Sequence, residues 1–129
     1  MNEETVIEWI RKAEGDYENA RLLARQRKKI LPDNLCWASE QCAEKYLKAF
    51  LTRHQIDFER RHDLVMLNTL CAGADSDFRL LSNAIADLDP CSPAVRYPGT
   101  SVTEAEARRA FDAMKTVRKL VRAKFGLKG

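Results

Sequence analysis

The stretch S-E-Q-C-A-E-K-Y-L-K-A-F-L, residues 39–51, lies in the most apolar part of the chain and has helical periodicity. It predicts a helix over roughly residues 34–54. The apolar face of this helix is formed by Leu35, Cys36, Cys42, Ala43, Tyr46, Leu47 and Phe50, and the polar face by Glu40, Gln41, Glu44, Lys45 and Lys48. We expect the polar face to meet solvent, where Glu44 and Lys48 form a favourable pair one helical turn apart.

Trp37 is the exception on this helix, because the helical wheel places it towards the polar side. An exposed indole needs cover from a neighbouring helix or from a second chain. We therefore predict that Trp37 is an interface residue.

The rest of the chain also predicts helices and contains no alternating strand pattern. Predicted helix starts are the capping box at Thr5, Asp63 before a short helix, and Ser101 or Thr103 before the last helix. We predict an all-α fold, an up-and-down antiparallel bundle of four long helices and one short helix, as a single domain over residues 1–129. The other four predicted helices cover 5–27, a short segment from Leu64 to about residue 72, a segment from about Phe78 to Leu88, and a final segment ending near Phe125.

Composition indicates an ordinary globular protein, with 45% hydrophobic and 32% charged residues. The net charge of +3 does not by itself argue for a nucleic-acid partner. The acidic N-terminus lacks the apolar region of a secretory signal, and no apolar run reaches the length of a membrane span. We therefore expect a cytoplasmic protein with no membrane partner.

The four cysteines, Cys36, Cys42, Cys71 and Cys91, contain no C-x-x-C pair. Closed zinc sites usually draw their ligands in such pairs, so no metal site is predicted. We expect buried free thiols in preference to a disulfide or a metal site.

Three motifs together resemble the HEPN domain family, whose name stands for higher eukaryotes and prokaryotes nucleotide-binding. They are Q-C-A-E-K-Y-L-K-A-F-L at 41–51, H-D-L at 62–64 and V-R-Y-P at 95–98, in the family's order and rough spacing. The resemblance implies a compact helical bundle that is often a homodimer. It also implies one of two activities: some members accompany a minimal nucleotidyltransferase as its substrate-binding subunit or domain, and others are metal-independent RNases that often serve as the toxins of toxin–antitoxin pairs.

The RNase branch of the family uses an arginine followed, after four to six residues, by a histidine. Arg96 resembles that arginine, but the three positions where the histidine would stand hold Ser101, Val102 and Thr103. Metal-free RNA cleavage needs a group that transfers protons near neutral pH, and a hydroxyl without its own base does not replace imidazole. We therefore expect no catalytic activity.

Arg96 and Tyr97 are the leading candidates for ligand binding. A guanidinium can bind phosphate with two hydrogen bonds, and a tyrosine ring can stack on a base. The alternative, that Arg96 braces its own loop while Tyr97 packs on the bundle, is equally open. Lys45 and Lys48 are secondary candidates, provided that the polar face of their helix lines the same cleft.

Two further basic segments are weaker candidates. Arg61 and His62 enter the short helix and are phosphate-binding candidates, although a solvated loop with a packed or capping His62 is favoured. His54 is expected to be a packing residue. The last helix carries a basic stripe formed by Arg108, Lys115, Lys119 and Arg122. A solvated face is favoured for it, because lysine and arginine are common in the last turns of helices and no aromatic residue interleaves the stripe.

These observations predict a non-catalytic HEPN-type module that binds a nucleotide, RNA or another substrate and acts with a separate minimal nucleotidyltransferase chain. No cofactor or metal is predicted. One alternative is an RNase toxin with a rearranged site, in which folding or dimerisation brings His62 near Arg96. Another is a helical scaffold that binds only proteins, with Trp37 and Trp9 as anchors.

Overall fold

A computed structural model describes residues 2–26, 31–60 and 63–129. Within these ranges the chain forms five α-helices and no β-strand, which confirms the all-α prediction. Short 3₁₀ segments follow α3 and α4. The helices are α1 (Asn2–Ala24), α2 (Pro32–Arg53), α3 (Leu64–Ala74), α4 (Ser82–Leu88) and α5 (Glu104–Lys124), and the 3₁₀ segments are Ser76–Leu81, Asp89–Cys91 and Pro93–Arg96.

The predicted helix caps are present at α3 and α5, whereas the predicted start at Thr5 is wrong because α1 already begins at Asn2. The Asp63 carboxylate accepts a hydrogen bond from the Met66 amide at 3.0 Å, which satisfies an unpaired donor at the start of α3. Thr103 and Glu106 form a reciprocal capping box at the start of α5. The fourth predicted helix begins as a 3₁₀ turn and becomes α-helical only at Ser82.

Helix α2 lies at the centre of the bundle and packs against α1, α5, α3 and the last two 3₁₀ segments. Between Leu35 and Leu51, only Trp37 and Lys45 are not buried. The prediction of a solvent-facing polar side is therefore wrong for Glu40, Gln41, Glu44 and Lys48, which are between 2% and 9% exposed. The periodicity identified a helix correctly, but this helix is enclosed by neighbours on every side.

The buried polar side chains of α2 bind one another. Lys48 Nζ lies 2.7 Å from a Glu44 carboxylate oxygen, and Gln41 donates a hydrogen bond of 2.8 Å to Glu40. Burial, followed by the neighbouring charge of Glu44, raises the pKa of Glu40 to about 8. These contacts offset the desolvation of the charges, so the polar pairs of the opening stretch lie within the packed interior.

A second polar network joins the three long helices. Glu14 of α1 accepts two hydrogen bonds from Arg118 of α5, at 2.7 and 2.9 Å, and another from the Tyr46 hydroxyl of α2. Burial alone would raise the pKa of Glu14, but the hydrogen bonds from Arg118 and Tyr46 bring it below its usual value. The network therefore fixes α1 and α5 against the same side of α2.

A disulfide joins Cys36 of α2 to Cys91 in the segment after α4, with their Cα atoms 5.1 Å apart. The prediction of free thiols is wrong for this pair, because folding brings together two cysteines that are far apart in the sequence. Cys42 and Cys71 are free and buried, as predicted. The disulfide ties the chain just before Arg96 to the start of α2.

We expect loss of this disulfide to lower the free energy of unfolding by roughly 2–4 kcal/mol, because the bond closes a long loop in the unfolded chain. Urea unfolding with and without a phosphine reductant measures the effect. The reductant should bring the wild type to the stability of the Cys36→Ala/Cys91→Ala double variant, which it should leave unchanged. Four titratable thiols in the denatured, unreduced wild type, rather than two, would contradict the assignment.

Among the residues that the structure describes, no helix combines the length and the apolar character needed to cross a bilayer.

Candidate functional site

An open pocket of about 730 Å³ lies where the C-terminal half of α1 and the start of α2 meet the 3₁₀ segment Pro93–Arg96. This volume falls within the range of small-molecule sites. One part of the wall is apolar and the other is polar. The apolar lining consists of Leu22, Leu23, Ala38 and Val95, and the polar and aromatic lining of Asn19, Asp33, Asn34, Trp37 and Arg96.

Arg96 lies over the indole of Trp37 at this pocket, with its guanidinium carbon 4.2 Å from the ring centroid. A guanidinium held over an aromatic face keeps the N–H groups at its edge available to a ligand. Trp37 is half-buried. From the sequence we expect a neighbouring helix or a second chain to cover its indole, and Arg96 of the same chain covers part of it. The two residues are brought together because the disulfide and Val95, which is buried, hold the 3₁₀ segment against α2.

The opening of the pocket carries further groups suited to a nucleotide. The guanidinium of Arg96 also lies 5.8 Å from the Tyr97 ring, which is 61% exposed and leaves an aromatic face towards solvent. The Asp33 carboxylate accepts a hydrogen bond of 2.9 Å from the Val102 amide. One of its two oxygens therefore binds the backbone. Asn34 adds an amide that can donate and accept hydrogen bonds.

The first turn of α2 contributes to the electrostatics of this pocket. Asp33 and Asn34 belong to that turn, and the preceding residue, Leu31, gives no side-chain cap to its free amides. The N-terminal end of a helix carries a partial positive charge, which favours an anionic ligand. Together with Arg96, it offsets the negative charge of Asp33.

The two lysine candidates do not line this pocket. Lys45 pairs with Asp16 of α1, with its Nζ 2.5 Å from the carboxylate. Lys48 is buried beside Glu44 and lies 5.4 Å from the centroid of the Trp9 ring. Both lysines already bind carboxylates, so the structure brings neither to Arg96.

The histidine candidates lie apart from Arg96 or outside the described residues. His54 packs on Phe50 with ring centroids 4.3 Å apart, as predicted for a packing residue. It is at the far end of α2, about 25 Å from Trp37 along the helix axis. Arg61 and His62 lie outside the described residues.

Sequence reasoning missed the wall that α1 contributes, namely Asn19, Leu22 and Leu23. The usable signal was Leu22, which departs from the apolar stripe of α1 and is 49% exposed. An exposed leucine is too common to identify a pocket without the neighbouring elements. Within the described part of the chain, no cluster of histidine, cysteine or carboxylate side chains could hold a metal ion.

The fold and this pocket define a helical bundle with an arginine–tryptophan stack at an open cleft. The HEPN domain family matches residues 6–124, which is nearly the whole chain. The chain therefore belongs to the HEPN family, whose members are generally associated with nucleotides or RNA. No curated protein and no solved structure is significantly similar to it.

Proposed function

We propose that this chain is a non-catalytic HEPN module that binds a nucleotide or RNA segment in the Arg96 pocket and presents it to a separate minimal nucleotidyltransferase chain. The observation that carries the proposal is the position of Arg96, over Trp37 at the pocket opening. Phosphate oxygens would accept hydrogen bonds from the guanidinium edge, and the ribose and base would lie along the apolar wall. Tyr97 would stack on an exposed base.

The non-catalytic part of the proposal is supported by the chemistry available beside Arg96. The positions at which the RNase branch has its histidine hold Ser101, Val102 and Thr103. A hydroxyl with its ordinary acidity does not take up a proton at neutral pH, so these residues suit binding better than proton transfer. The proposal includes a homodimer, which the resemblance to the HEPN family implies.

Isothermal titration of ATP and of a short single-stranded RNA tests the role of Arg96. A charge-assisted hydrogen bond contributes about 1.5–3 kcal/mol, so Arg96→Ala should weaken binding by roughly 10- to 100-fold. Arg96→Lys keeps the charge but loses the planar fork, and should bind with intermediate affinity. Lys119→Ala is the matched control, because it removes one charge from an exposed position on α5 that lines none of the pockets described.

Equal affinity in the wild type and in Arg96→Ala, or no binding of either ligand to the wild type, would overturn the binding role. RNA cleavage by the wild type without metal would overturn the non-catalytic part and favour the RNase alternative. Co-purification with a nucleotidyltransferase chain encoded next to this one tests the partner. Failure of such a chain to associate would reject the presentation role while leaving nucleotide binding intact.

A further inference from the structure

A basic groove runs between the C-terminal end of α1 and the first half of α5. It comprises two cavities of about 400 and 530 Å³ that share Ala24, Arg25 and Arg108. Its cations come from two helices that are remote in the sequence. We call this surface the α1–α5 groove, and its side chains of interest are Tyr17, Arg21, Arg25, Arg108, Phe111 and Lys115.

The cations of the groove are accessible to a ligand. The ion pairs Arg21–Glu18, Arg108–Glu104 and Lys115–Asp112 join side chains that are 36% exposed or more. Exposed pairs of this kind contribute little to stability, so a phosphate can compete for their cations at small cost. Arg25 is also exposed, and its charge acts on the Glu18 carboxylate.

Arg108 fixes the floor of the groove. Its guanidinium donates to the Ala24 carbonyl at 3.1 Å and to Glu104 at 3.0 Å, which joins α5 to the end of α1. The C-terminal end of a helix carries a partial negative charge, and the bond from Arg108 offsets it here. The groove therefore remains basic at a helix end that would otherwise repel an anion.

Aromatic rings lie between these cations. Lys115 Nζ is 4.6 Å from the centroid of the Phe111 ring, and Tyr17 forms part of the opposite wall. The prediction that no aromatic residue interleaves the basic stripe of α5 is wrong for Phe111, which lies on the same helix beside Lys115, and Tyr17 of α1 adds a second ring. Arg122 of that stripe turns inward and donates to the Tyr46 hydroxyl at 3.1 Å.

The groove and the Arg96 pocket lie on adjacent sides of one helix. Leu22 and Leu23 line the pocket, and the residues on either side of them in α1, Arg21 and Ala24, line the groove. Along α5, Arg108 and Lys115 are about 10 Å apart, a span that exceeds a single phosphate. These dimensions fit an extended chain of phosphates better than a free anion.

We propose that the α1–α5 groove binds the phosphate backbone of a single-stranded RNA, one nucleotide of which occupies the Arg96 pocket. The inference rests on the proposed function, and it adds a second contact that a mononucleotide cannot reach. The concave shape and the continuity with the pocket favour an oligonucleotide over a membrane surface. Phosphates would contact the arginines, and ribose and base would lie on the aromatic wall.

Fluorescence anisotropy with a ten-nucleotide single-stranded RNA, measured over a range of salt concentrations, tests the groove. The variant is Arg21→Gln/Arg25→Gln, and the matched control is Arg11→Gln/Lys12→Gln, which removes two exposed charges from the middle of α1. The groove variant should lose at least tenfold in RNA affinity at 0.1 M salt. Its slope of log K against log salt should fall by about 1.4, which corresponds to two lost phosphate contacts on a single strand.

ATP separates the two sites. Its affinity should be unchanged in the groove variant and lowered in Arg96→Ala, whereas the control pair should change neither ligand. Unchanged RNA affinity in the groove variant would reject the groove and leave the pocket standing. An equal loss of ATP affinity would show that these charges act on the pocket, and loss of binding to anionic lipid vesicles with RNA binding intact would assign the groove to a membrane.

Discussion

Replacing Lys48 with methionine is expected to lower the free energy of unfolding by about 3–5 kcal/mol at pH 8, the cost of removing one partner of a buried ion pair. The Lys48 and Glu44 side chains are 9% and 3% exposed, so water does not replace the lost ammonium group. Glu40 lies one helical turn before Glu44, so the two carboxyl groups are close neighbours. Without Lys48, less positive charge offsets the negative charge of this pair. Methionine retains most of the apolar length of the lysine side chain.

Urea unfolding at pH 8 and at pH 5 measures this effect. The loss should be smaller at pH 5, because the carboxyl of Glu40 is then protonated and adds no negative charge beside Glu44. Lys115→Met is the control: its ion pair with Asp112 is mostly exposed, and its loss should cost less than about 1 kcal/mol. A cost below 1 kcal/mol for Lys48→Met, or the same cost at both pH values, would contradict the account of α2.

Replacing Glu40 with glutamine is expected to stabilise the protein by a few kcal/mol near pH 8.5 and to change little at pH 5. Burial and Glu44 raise the pKa of Glu40 from 4.5 to about 8 in the folded state. Between these values the folded state holds a proton that the unfolded chain releases, so wild-type stability falls as pH rises through this window. Glutamine resembles the protonated acid and carries no such penalty.

Denaturant unfolding at several pH values between 5 and 9 tests this prediction. Glu40→Gln should remove most of the wild-type decline, at a scale of about 1.4 kcal/mol for each pH unit over which the proton is held. Glu106→Gln is the control. Hydrogen bonds from Thr103 lower the pKa of Glu106, so its titration falls below this window and the decline should persist. If the free energy of unfolding of Glu40→Gln falls with pH as steeply as that of the wild type, Glu40 is not the group whose raised pKa causes the decline.

The local signals in the sequence predicted most of the fold. The caps at Asp63 and Thr103 form through side chains within three residues of the backbone they bind, so their motifs are sufficient to identify them. The environment of Glu40 and Lys48 depends instead on how many neighbours surround α2. A polar residue on a helix usually meets water, and the sequence alone does not show that α1, α3 and α5 enclose this one.

The candidate site was predictable only in part. The family motif and the phosphate chemistry of guanidinium indicated Arg96, but not its contact with Trp37, which depends on the path of a proline-containing segment. The Cys36–Cys91 disulfide was missed for the same reason, since the spacing of the two cysteines in the sequence gives no sign of their proximity. Long-range contacts that form a site depend on packing, and local periodicity does not encode them.

The fluorescence of Trp37 during a nucleotide titration shows whether a nucleotide binds beside the Arg96–Trp37 stack. The chain has two tryptophans, so in a Trp9→Phe variant the signal comes from Trp37 alone. We expect a saturable change in this signal with ATP, shifted to at least tenfold higher concentration by Arg96→Ala and unaffected by Lys119→Ala. Saturable ATP binding that leaves Trp37 fluorescence unchanged and does not depend on Arg96 would contradict this expectation.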